Sequence, residues 1–96
     1  MSPKNKISLN KLRAKLDNLD NKLIKLIKIR TSLVKKVVSL KQNKKEIVDK
    51  KRISAILRKI KIKSVKNGID PKITNRIWKN MIWSYIGYER KIFKKK

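Results

Sequence analysis

The sequence predicts an all-α protein with three helices per chain, the first of them very long. Two Gly and two Pro in 96 residues leave few positions that interrupt a helix. Apolar residues recur at alternating steps of four and three over the first part of the chain, which is the period of a helix with one apolar stripe. This apolar stripe consists of Leu12, Leu16, Leu19, Leu23, Leu26, Leu33, Val37 and Leu40. A chain of this length is expected to form a single domain over residues 1–96.

The first helix is expected to begin at Ser8 or Asn10, either of which can cap it, and to run to about Gln42 or Asn43. Residues 1–7 are then expected to be a disordered lead. At 1.5 Å per residue such a helix is about 50 Å long, whereas a compact domain of this size has a radius of gyration of about 12–13 Å. The chain therefore cannot cover its own apolar stripe, which must meet another copy or another protein. We expect a homodimer.

The second helix is expected to follow a loop at residues 43–48, where the apolar period breaks. Asp49 can cap this helix, and it is expected to end near Lys66 because Gly68 suits the position just beyond a helix. Apolar residues at helical spacing predict which face it buries. They are Ile53, Ile56, Leu57 and Ile60.

The third helix is expected to run from Pro71 to about Phe93, with residues 94–96 as a disordered tail. Asp70-Pro71 indicates its start, since the carboxylate can cap the helix and proline suits the first helical position. Two rows follow the helix, one of Ile73, Ile77, Met81, Ser84 and Tyr88, the other of Trp78, Ile82, Tyr85 and Glu89. The second row ends in a carboxyl group. It is either a surface Glu paired with a Lys or a buried acid aimed into a pocket.

The composition excludes several classes of active site. The chain has no Cys and no His, which excludes disulfides, thiolate nucleophiles, most zinc sites and imidazole bases. No secretory signal or membrane-spanning run is present, so a cytoplasmic protein without a membrane partner is expected. The net charge of +24 suits a polyanion, but only six of the 30 cationic residues are Arg, and nucleic acid is not the favoured partner.

Arg30 occupies the one position of the stripe where an apolar residue is missing. A buried guanidinium keeps its proton and costs several kcal/mol to desolvate unless an anion meets it. Lys41 follows eleven residues later, which on a continuous helix returns to within ~20° of the same direction, about 16 Å further along. The two cations are therefore expected to bind one small dianion. The alternative is a solvated Lys41 that is close to Arg30 by chance.

Several motifs occur along the chain in a fixed order. They are Leu12-Arg13, residues 16–30 (LDNLDNKLIKLIKIR), Lys41, Asp49-x-x-Arg52, Gly68-Ile69-Asp70-Pro71, Ile77-Trp78, Ser84-Tyr85 and Glu89. Each is common alone, but the ordered set resembles the all-α class of chorismate mutases, of the monofunctional bacterial type. The resemblance implies three helices per chain, intertwined as a homodimer with two active sites. It also implies conversion of chorismate to prephenate, on the route to phenylalanine and tyrosine.

The resemblance assigns roles to individual residues. Arg30 matches an arginine that binds a substrate carboxylate, and Lys41 matches a lysine that reaches the ether oxygen and a carboxylate. Arg52 matches the site arginine of the second helix, with Asp49 as the acid just before it. Glu89 matches a position, usually Gln, whose donor hydrogen reaches the ether oxygen.

Arg13 matches the arginine that the family supplies from the other subunit. It lies 17 residues before Arg30, about 25 Å along the helix, so the two cannot share a small ligand within one chain. Two positions depart from the family pattern. Ile53 replaces the Glu that binds the substrate hydroxyl, and the usual serine falls at Tyr85, with Ser84 beside it. Either of these last two can face the ligand.

The implied reaction suits a chain without His or Cys, because a pericyclic rearrangement needs no nucleophile, proton transfer or cofactor. Cations that hold two carboxylates and stabilise charge on the breaking C–O bond are sufficient. One alternative is isochorismate pyruvate lyase on the same fold. Others are a basic helical nucleic-acid-binding protein and a coiled-coil dimer whose register is set by Arg30. The position of Arg30 within the apolar stripe counts against the nucleic-acid-binding protein. The coiled-coil dimer leaves Arg52 and Glu89 without a role.

Overall fold

The computed structural model describes residues 2–95, which contain three α-helices and no strand. Helix α1 spans Pro3–Leu40, α2 spans Lys50–Lys66 and α3 spans Pro71–Ile92, and a 3₁₀ turn at Lys44–Ile47 connects α1 to α2. The prediction of an all-α chain with one very long helix is confirmed. None of the described helices is long and apolar enough to cross a membrane.

Helix α1 begins earlier than the sequence analysis expected. Ser2 Oγ accepts the backbone N–H of Asn5 at 3.2 Å, and Pro3 is the first helical residue. The expected starts at Ser8 and Asn10 are therefore wrong, and residues 3–7 belong to the helix. Ser2-Pro3 is a cap followed by proline, the same signal that Asp70-Pro71 provides for the third helix.

The chain divides into two compact units between Leu33 and Val34. The first unit is the N-terminal part of α1, and most of its side chains are exposed in a single chain. The leucines of the apolar stripe from Leu12 to Leu33 are 53–60% exposed. An exposed apolar surface of this extent is typical of an interface that a single chain leaves uncovered.

The second unit has its own core, formed where α2, α3 and the 3₁₀ turn pack together. Ile47, Ile82 and Ile86 are buried at its centre, each contributing about 1.5–3 kcal/mol by the burial of its side chain. Partly buried residues surround them, namely Val48, Ile53, Ile56, Leu57 and Phe93. The predicted apolar face of α2 is therefore largely confirmed. Residues 43–48 do not form the plain loop that was expected, because Ile47 anchors the turn in the core.

The turn after α2 is a Schellman motif. Gly68 has φ of +70°, its N–H donates to the Val65 carbonyl at 3.1 Å, and the Ile69 N–H donates to the Ser64 carbonyl at 2.8 Å. This is the left-handed conformation that glycine adopts without a steric penalty. The prediction that Gly68 ends α2 is confirmed.

Two features fix the start of α3 beside the end of α2. Asp70 Oδ1 accepts the Lys72 N–H at 2.9 Å and Pro71 is the first helical residue, as predicted. Ser64 Oγ and Thr74 Oγ1 are hydrogen bonded at 2.6 Å, and both side chains are buried. Because both groups are satisfied, they join the helices without an unpaired buried hydroxyl.

We expect Gly68→Ala and Gly87→Ala to change stability in opposite directions. A Cβ meets nothing within 4 Å at either position, so only backbone conformation distinguishes them. Alanine at Gly68 must adopt positive φ and should destabilise the fold by about 1–2 kcal/mol. Alanine at Gly87, inside α3, should stabilise it by up to about 1 kcal/mol. Urea unfolding at one protein concentration measures both, and equal shifts would contradict this reasoning.

Candidate active site

Glu89 is a buried carboxyl group, only 8% exposed, near the end of α3. It lies on the predicted second row of that helix, whose member Ile82 is also buried and whose Trp78 and Tyr85 are partly buried. The other row is different, since Ile73 and Ile77 are more than half exposed. Of the two readings of this Glu, the structure therefore supports the buried acid.

Lys41 lies opposite Glu89. Its Nζ is 3.9 Å from Glu89 Oε1, and the two side chains are 18% and 10% exposed. An ammonium group and a carboxyl group are thus held together in a largely enclosed part of the second unit. Such an arrangement can place two hydrogen-bond donors at one substrate atom when the acid is protonated.

Lys41 is the first residue after α1, not a member of it. The helix ends at Leu40, and the Lys41 N–H donates to the Val38 carbonyl at 3.1 Å in a tighter turn. The eleven-residue spacing from Arg30 therefore does not determine its direction, because that argument required α1 to continue to about residue 42. The position of Lys41 depends on the turn that follows.

Asp49 and Arg52 lie at the start of α2. Asp49 Oδ1 accepts the backbone N–H of Arg52 at 3.0 Å, so the carboxylate caps the helix as predicted. Both side chains are exposed in the single chain. Ile53 packs against the core of Ile47, Ile82 and Ile86. A carboxylate at this position would face apolar neighbours.

Arg13 and Arg30 belong to the first unit. Arg13 is exposed, whereas Arg30 is partly buried beside leucines that are themselves more than half exposed. Within a single chain, the apolar stripe that contains Arg30 therefore stays largely exposed. Since α1 is continuous from Pro3 to Leu40, about 25 Å of helix separates Arg13 from Arg30.

Tyr85 and Ser84 are the two neighbouring residues of α3 that the sequence offers as contacts to the ligand. Tyr85 is partly buried on the row that contains Glu89, whereas Ser84 is exposed on the other row. Tyr85 is thus the one that shares a face with the buried acid.

Sequence reasoning missed Glu46. Its carboxylate accepts the backbone N–H of Gln42 at 2.9 Å and the side-chain amide of Asn43 at 3.5 Å. The spacing Asn43-x-x-Glu46 resembles a capping box, which could have identified it. Among residues 2–95, no group of three or more His, Cys, Asp or Glu side chains could hold a metal ion.

Comparison with known proteins gives one family. The family model described as chorismate mutase type II matches residues 12–90, which include Arg13 at one end and Glu89 at the other. Searches of curated proteins and of solved structures found no match. The match covers most of the chain, and the chain therefore belongs to the chorismate mutase type II family, whose reaction is the isomerisation of chorismate to prephenate.

Proposed function

We propose that this chorismate mutase works without a cofactor, as a homodimer with two identical sites. Each site combines Arg30, Lys41, Arg52 and Glu89 of one chain with Arg13 of the other. Asp49 and Tyr85 line the same site. The observation that carries this assignment is the enclosed pair of Lys41 and Glu89, which lies within the family match.

The exposed apolar stripe supports the homodimer. The leucines along α1 are 53–60% exposed in a single chain, so much of their apolar surface stays in contact with water. A second α1 with the same stripe can cover that surface. A two-fold dimer then presents the same residues from both chains. Because Arg13 and Arg30 are too far apart to hold one small dianion within a chain, a second copy also explains how both can serve one site.

The cationic residues supply what the rearrangement needs. Arg30, Arg52 and the partner's Arg13 bind the two substrate carboxylates through paired hydrogen bonds and hold the folded conformer from which the new C–C bond forms. Electron density builds on the ether oxygen as the C–O bond breaks. Lys41 and protonated Glu89 donate to that oxygen, and a donor of this kind typically lowers the barrier by about 3–4 kcal/mol.

We expect the rate of prephenate formation to rise as the pH falls below neutrality. Glu89 can donate a hydrogen bond only when it carries a proton, and the protonated fraction decreases as the pH rises. Glutamine at this position keeps an N–H donor at every pH, so Glu89→Gln should flatten the profile. The measurement is kcat for chorismate from about pH 5 to 9.

Asp20→Asn is the matched control, because it also removes one carboxylate but from an exposed position on α1. It should keep the wild-type profile. A wild-type profile that is flat, or that rises with pH, would remove Glu89 from the donor role.

Formation of salicylate and pyruvate from isochorismate, with no prephenate from chorismate, would instead indicate the lyase reaction.

A further inference from the structure

The segment after Lys41 is closed by a box of hydrogen bonds between Asn43 and Glu46. Glu46 Oε2 accepts the Gln42 N–H at 2.9 Å, and Glu46 Oε1 accepts from Asn43 Nδ2 at 3.5 Å. In return, Asn43 Oδ1 accepts the Lys45 N–H at 3.1 Å and its carbonyl accepts the Glu46 N–H at 3.2 Å. Four bonds therefore connect both ends of a very short segment.

This box is anchored to the helix that carries Glu89. Ile47 directly follows Glu46 and is buried against Ile82 and Ile86 of α3. Ile86 precedes Glu89 by about one turn on the same face of that helix. The backbone of the turn is thus held against α3, and the exposed carboxylate of Glu46 links it to the peptide of Gln42.

We propose that Glu46 is a positioning residue for catalysis, which holds the backbone at Lys41 so that the ammonium group stays opposite Glu89. The inference rests on the role proposed above for Lys41. A lysine side chain has four rotatable bonds, and its Nζ is only as well placed as the Cα that carries it. Lys41 follows the last residue of α1, so the helix alone does not fix it. The hydrogen bond from the Gln42 N–H to Glu46 holds the peptide group that directly follows the Lys41 Cα.

Loss of this bond should affect the transition state more than substrate binding. A displacement of about 1 Å at a catalytic group can cost on the order of 100-fold in rate. We therefore expect Glu46→Ala to lower kcat by about 10- to 100-fold, with KM changed by less than about threefold. Glu46→Gln keeps an oxygen that can accept the Gln42 N–H and should retain most of the wild-type kcat.

Two measurements separate positioning from simple destabilisation. Gly68→Ala weakens the fold at the other end of α2 and should leave kcat unchanged. In a double-mutant cycle, Glu46→Ala should have little further effect when Lys41 is already Ala, because the two act on one step. Exchange of the Gln42 amide hydrogen, followed by NMR, should be faster in Glu46→Ala than in the wild type.

Each outcome has a distinct meaning. A wild-type chain without mutase activity would contradict the proposed site as a whole. An active wild type with an unchanged kcat in Glu46→Ala, or an equal further loss in the Lys41→Ala background, would overturn the positioning role alone. If Glu46→Ala does not fold, Asn43→Ala removes the other arm of the box and should lower kcat by roughly threefold to tenfold through the same pattern.

Discussion

Mixing Arg13→Ala chains with Arg30→Ala chains is expected to restore activity that neither variant has alone. Each substitution removes a carboxylate-binding guanidinium from both sites of its own homodimer and should lower kcat/KM by about 100- to 1000-fold. In a mixed dimer, one site receives Arg30 from the first chain and Arg13 from the second. The other site lacks both residues. One of two sites is then complete.

The expected recovery is roughly a quarter of the wild-type activity, since random pairing makes about half of the dimers mixed. The variants are unfolded together in urea, refolded and assayed for prephenate formation. Arg30→Ala mixed with Lys41→Ala is the control, because both residues come from the same chain of a site and no mixed dimer can contain an intact one. Recovery in the control, or none in the test pair, would contradict the shared site.

Lys41→Ala is expected to produce the largest single loss of kcat. The Lys41 ammonium group is a proposed donor to the ether oxygen, and removal of a preorganised donor typically costs 10²- to 10³-fold, about 3–4 kcal/mol. Steady-state kinetics with chorismate measure kcat and KM separately. The decrease in kcat should exceed the increase in KM, because Lys41 is expected to reach a substrate carboxylate as well, whereas the charge on the ether oxygen develops only in the transition state.

Lys44→Ala is the matched control for this experiment. It removes the same charge only three residues away, but from an exposed side chain at the start of the 3₁₀ turn. Its kcat should stay close to that of the wild type. If Lys44→Ala and Lys41→Ala reduce kcat equally, the effect reflects the overall positive charge and not a placed donor.

Local signals in the sequence predict the second half of the fold well. Asp49, Gly68 and Asp70 each satisfy backbone groups at a helix end, and the interactions involve residues within a few positions. The start of α1 is harder to predict, although Ser2-Pro3 carries the same kind of signal. The periodic leucines predict a helix start close to the first apolar residue of the stripe. The polar first turn of α1 lacks this period, so the pattern does not reveal it.

The geometry of the candidate site is harder to predict from the sequence than the ends of the helices. The Lys41–Glu89 pair joins residues that are far apart in the sequence, so it depends on how the 3₁₀ turn docks on α3. Ile47 is buried against α3 and Val48 packs against the same core, but two adjacent apolar residues in a short polar segment have no detectable period. The family resemblance named both members of the pair, whereas helical spacing alone placed Lys41 on the wrong element.

The apolar stripe lies on a chain that carries +24 charges, and this combination has a consequence for assembly. Two copies that meet along α1 bring like charges together, so their association works against electrostatic repulsion. Added salt shortens the range of that repulsion while leaving apolar attraction in place. Capture of a doubly negative small molecule responds in the opposite way. In the proposed homodimer, higher ionic strength should therefore strengthen the association of the two chains while it weakens the attraction of the dianionic substrate.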